Sequence, residues 1–106
     1  MEKLTKDEAL GKIGGSSLKG YIFCKYADLI NLFGTPTFDT PSGDDKVQFE
    51  WVIEYEGDVF TIYDWKTYDR RYSIEELNQW NVGGKVYAGD FTTMVENKIK
   101  EINKVA

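Results

Sequence analysis

A chain of 106 residues, 42% hydrophobic and 15% aromatic, has the material for one core, and its formal charge of −5 excludes a general nucleic-acid binder, which needs a basic surface to gain from counterion release. It contains no histidine and one cysteine, Cys24, which excludes the common zinc sites, the Ser-His-Asp and Cys-His nucleophile systems, and an intrachain disulfide. No apolar run approaches the roughly 20 residues of a membrane-spanning helix. The charged N-terminal residues read as no signal peptide, so one soluble domain over residues 1–106 in a reducing cytoplasm is expected.

In chain order, Thr5 to Ile13 predicts a short helix, with Thr5 and Glu8 spaced as a capping box and Gly14 and Gly15 ending it. Leu18 to Cys24 reads as a strand in which Cys24 is a small buried hydrophobe. Tyr26, Leu29, Ile30 and Phe33 recur at the spacing of one buried helical face, and Gly34 stops that helix. Thr35 to Asp45 holds both prolines and reads as a loop.

From Lys46 to Glu56 the pattern alternates. Val47, Phe49, Trp51, Ile53 and Tyr55 point one way, while Gln48, Glu50, Val52, Glu54 and Glu56 point to a solvated face. A turn at Gly57 and Asp58 returns the chain as a second strand, Val59 to Trp65, giving a long aromatic hairpin over about 46–65. Ser73 to Glu76 matches a capping box opening a short helix or turn. Trp80 to Tyr87 predicts a further strand, with Gly83 and Gly84 as a bulge or tight bend. Asp90 caps a C-terminal amphipathic helix whose stripe is Phe91, Met94, Val95, Ile99 and Ile102. The sum is an α+β fold: a small antiparallel sheet with helices packed on one face.

Three stretches carry candidate chemistry. Residues Trp65 to Tyr72 hold the only two arginines, side by side among tyrosines. Arg70, Arg71 and Lys66 suit phosphate oxygens, and Tyr68 and Tyr72 suit a stacked base. The turn Gly83-Gly84-Lys85 could leave backbone N–H groups open to an anion. The acidic tract gives Glu50, Glu54, Glu56 and Asp58 as a face for a basic groove on another protein. No phosphate-loop or dinucleotide-binding glycine motif is present, and neither a cofactor nor a metal is expected.

The order of Cys24, Tyr26-Ala27-Asp28-Leu29, Trp51-Val52-Ile53-Glu54-Tyr55, Thr61-Ile62-Tyr63-Asp64-Trp65-Lys66 and Trp80-Asn81-Val82-Gly83-Gly84-Lys85 resembles a group of small accessory proteins encoded by tailed bacteriophages, over about residues 20–104. That resemblance implies a context, the host bacterial cytoplasm, and proteins that counter bacterial defences. The expected activity is binding rather than catalysis. The ligand would be a cyclic nucleotide or related signalling molecule, held by a sponge that is a homo-oligomer. The alternative is an acidic inhibitor of a host defence nuclease or CRISPR effector.

Overall fold

The computed structural model describes residues 1–39, 47–65 and 74–105, the Val105 side chain apart. Its centre is the predicted hairpin. β3 (Glu50–Tyr55) and β4 (Asp58–Tyr63) pair antiparallel, with Trp51 opposite Ile62 and Ile53 opposite Phe60. The turn falls one residue earlier than expected, on Glu56 (φ 51°) and Gly57 (φ 84°). A two-residue hairpin turn needs the left-handed region at both positions, and Gly57 supplies the second without strain.

The hairpin is also shorter than expected. The buried Asp64 carboxylate accepts the N–H groups of Gln48 and Phe49, both at 2.8 Å, and Phe38 bridges Glu50. Those bonds draw the chain off the ladder before Glu50.

Three further strands complete the sheet: β1 (Glu2–Lys3), β2 (Ser17–Ile22) and β5 (Trp80–Gly84), in the order β1-β3-β4-β5-β2, antiparallel throughout. β1, at two residues, carries no periodic signal and is not among the predicted elements. The irregularity assigned to Gly83 and Gly84 occurs instead in their partner strand, between Leu18 and Gly20.

Two helices cover one face. α2 (Tyr26–Phe33) has the predicted bounds; the Asp28 carboxylate accepts the Lys25 N–H at 2.9 Å at its start. α3 (Gly89–Val105) begins one residue before Asp90, which lies in its first turn. The predicted stripe turns inward: Phe91, Val95 and Ile99 are buried, and Phe91 stacks on Phe60 at 4.5 Å. Trp51 and Trp80 meet edge to face at 5.5 Å under Tyr26. Cys24 is buried, and burial, aided by Asp28 and Glu96, pushes its thiol up to about 12.

The opposite face is not wholly solvated. α1 (Lys6–Leu10), shorter than expected, keeps the Thr5–Glu8 capping box, with the Glu8 carboxylate accepting the Thr5 N–H at 3.0 Å. With Leu4 it brings Ala9 onto Val52, flanked by Ile13, Phe38 and Val59. Val52, expected on a wet face, is buried because this N-terminal segment folds over it. Ile74–Glu76 forms a 3₁₀ turn; Ser73, its expected cap, lies outside the described residues. Among the described residues no helix is long and apolar enough to cross a membrane.

Candidate functional site

The N-terminal segment covers only part of that second face. Where it stops, strand pairing assembles a cleft. Tyr63 on β4 is the register partner of Asn81 on β5 and of Glu50 on β3, while Asn81 is also the partner of Tyr21 on β2. Residues directly opposite on neighbouring strands share a face. Glu50, Tyr63, Asn81 and Tyr21 therefore run side by side across four strands.

Trp65, two residues past Tyr63 and on the same side, rises over this row, its ring 6.4 Å from that of Tyr63 and nearly perpendicular to it. Tyr21 and Trp65 are 45% and 48% exposed, so these rings present flat apolar surface to solvent. Two adjoining hollows share Tyr63 and Trp65. One of about 480 Å³ is lined by Leu18, Tyr21 and Asn81, and one of about 250 Å³ by Glu50, Thr61 and Gly83. Apolar walls with a few convergent polar groups are the usual character of a small-molecule site.

Electrostatics single out Glu50. It lies half-buried in the smaller hollow, and no ion pair or side-chain hydrogen bond engages its carboxyl among the described residues. Burial first, and then the neighbouring Asp64 carboxylate, push its pKa up to about 7. Both effects disfavour the charged form. The Tyr63 hydroxyl is likewise pushed up, mainly by burial, with Glu50 and Tyr21 adding and the Asn81 side-chain hydrogen bond opposing. Perturbed groups in a cleft mark functional sites more often than chance.

The expected site residues distribute unevenly. Lys66, Tyr68, Arg70, Arg71 and Tyr72 lie outside the described residues. Gly83 and Gly84 are buried in β5 and paired with both β4 and β2, so they form no open anion-binding turn; Gly83 instead floors the smaller hollow. Lys85 is exposed and lines a third hollow with Lys12 and Asp58, one step further along the same sheet face.

The carboxylates expected to share one solvated face do not form one. Glu50 is half-buried in the cleft, Glu54 pairs with Lys12 at 3.1 Å, and Glu56 is exposed in the turn beside Tyr55 and Asp90. Asp58 opens β4 at the third hollow. The covering N-terminal segment breaks up the row that alternation alone would leave continuous.

Sequence reasoning missed Tyr21, Thr61, Tyr63 and Asn81 as a set. The available signal was that each occupies the phase opposite to a buried neighbour (Ile22, Ile62, Val82), yet that does not say which strands adjoin. Among the described residues, no group of three His, Cys, Asp or Glu could hold a metal ion. No family model, no curated protein and no solved structure matches the chain.

Proposed function

We propose that this protein is a binding module for a small nucleotide, whose base enters the cleft walled by Tyr21, Tyr63 and Trp65 and stacks on an exposed ring of that shelf. The observation that carries the reading is the convergence of these three rings on one cleft, two of them about half exposed, with the Asn81 amide, the Thr61 hydroxyl and the Glu50 carboxyl at its edge. A large ring with about half its surface exposed forgoes part of the gain it would make in the core, while a stacked base returns about 1–3 kcal/mol. Lys85, exposed further along the same face, is the cation nearest to an anionic end there, since Lys12 is paired with Glu54.

The phage resemblance extends the proposal to its biological form. The protein acts in the bacterial host cytoplasm by sequestering a nucleotide immune signal and releasing it unchanged. The alternative of an acidic surface docked on a defence enzyme is weakened, because Glu50, Glu54, Glu56 and Asp58 lie in separate surroundings.

A thermal-shift screen against cyclic mono-, di- and trinucleotides tests the reading. A ligand at a hundred times its Kd adds about 2.7 kcal/mol, which raises Tm by roughly 10 °C or more for a domain of this size. The shift should vanish in Trp65→Ala. No shift with any nucleotide, or an unchanged shift in Trp65→Ala, rules the shelf out as a nucleotide site.

A further inference from the structure

If the shelf holds the flat face of a base, the edge of that base must meet whatever lines the end of the cleft. The one ionisable carboxyl among the lining residues is Glu50, across the ladder from Tyr63 and lining the same hollow as Ser16, Ser17, Thr61, Trp65 and Gly83. Resting on the nucleotide reading above, we propose that Glu50 is the specificity-determining residue of the shelf. In its acid form it donates its O–H to a ring nitrogen and accepts from the adjacent amino group, so that of the two purines the base is adenine.

The argument is one of complementarity. A neutral carboxylic acid offers one donor beside one acceptor, whereas a carboxylate offers acceptors only. Adenine presents a ring-nitrogen acceptor beside an amino donor. Guanine presents two adjacent N–H donors on its pairing edge, which match the ionised carboxylate instead. The choice between the two purines therefore follows the protonation state of one side chain.

The surroundings push the Glu50 pKa up to about 7, so the acid form predominates below neutrality. From the strand across, Tyr63 and the Asp64 carboxylate face it; Tyr21 lies beyond Tyr63 on β2. The residues approaching from the N-terminal side, Ile13, Ser16 and Ser17, bring no charge, and Lys12 beside them is committed to Glu54. Among the described residues, no cation faces Glu50 to hold it ionised.

The test compares 3′,5′-cyclic adenosine and guanosine monophosphates, which carry the same single charge throughout the range used. Binding is followed by calorimetry at about pH 6 and about pH 8. With Glu50 titrating near 7, the competent acid form falls from about 90% to about 10% between these conditions. Affinity for the adenine compound should therefore drop about tenfold, while the guanine compound gains.

Glu50→Gln should keep adenine affinity at both pH values, because a carboxamide permanently offers one donor and one acceptor. Binding that depends on Trp65 but is indifferent to pH and to Glu50→Gln would leave the shelf standing and overturn the role of Glu50. No binding of either nucleotide at either pH would overturn both.

Discussion

Gly83 stands opposite Thr61 across the β4–β5 ladder, so close that a β-carbon on Gly83 would lie 2.7 Å from the Thr61 hydroxyl oxygen and 3.4 Å from the Tyr63 ring. The absence of a side chain at Gly83 thus makes the floor of the cleft, and Thr61, being β-branched and buried, has little room to give way. Gly83→Ala should cost about 1–3 kcal/mol through overpacking. The readout is a lower urea midpoint with unchanged m-value. Gly11→Ala, where no atom of the described residues would lie within 4 Å of the new β-carbon, is the control and should lose nothing.

Glu50 links the cleft to stability. Folded, it keeps its proton up to about 7; unfolded, it gives it up near 4.5. Between those values the folded state binds more protons, so stability falls as pH rises through this window and is level above it. The half-buried position makes the loss about 1–3 kcal/mol. Glu50→Gln should remove the slope and be the more stable protein at about pH 8. Unfolding midpoints at about pH 5 and pH 8 check this, and equal slopes in the two proteins would contradict it.

One buried hydroxyl helps to fasten the N-terminal cover. The buried Thr37 Oγ1 donates to the Leu4 carbonyl at 3.0 Å and accepts from the Val52 N–H at 3.1 Å, tying the start of the chain to β3. Thr37→Val keeps the volume and strands both backbone groups, so it should cost about 2 kcal/mol; Thr37→Ser should restore most of that. Denaturation midpoints of the pair give the comparison.

The two buried tryptophans are not equivalent. The Trp51 indole N–H donates to the Gly34 carbonyl at 3.0 Å, whereas the Trp80 indole N–H is buried with no partner among the described residues. Replacing each by Phe removes similar volume. At Trp51 it also abandons a hydrogen bond, and at Trp80 it relieves an unpaired donor. Trp51→Phe should therefore be the more destabilising by about 1 kcal/mol, as read from paired urea titrations. The reverse order would mean that the Trp80 donor is satisfied in solution.

Much of the fold was legible locally. The Tyr26–Phe33 helix, the Trp51/Ile53 and Phe60/Ile62 strand phases and the Phe91–Val95–Ile99 stripe follow from periodicity, because a repeat of 2 or 3.6 fixes which side chains share a face. The errors fell where a distant residue intervened. Asp64 ended the hairpin early by capping Gln48 and Phe49, and Leu4 with Ala9 turned Val52 from a wet position into a buried one.

What the sequence by itself determined is therefore the elements, their buried phases and the absence of histidine chemistry, all properties of neighbours along the chain. Only the tertiary structure decided that Tyr21, Glu50, Tyr63 and Asn81 form one row, that Gly83 is a floor rather than an anion-binding turn, and that Glu50 titrates near neutrality. Strand order and burial depend on contacts between segments far apart in the chain. Neither the surroundings of a carboxylate nor the neighbour of an aromatic ring is written in its local pattern.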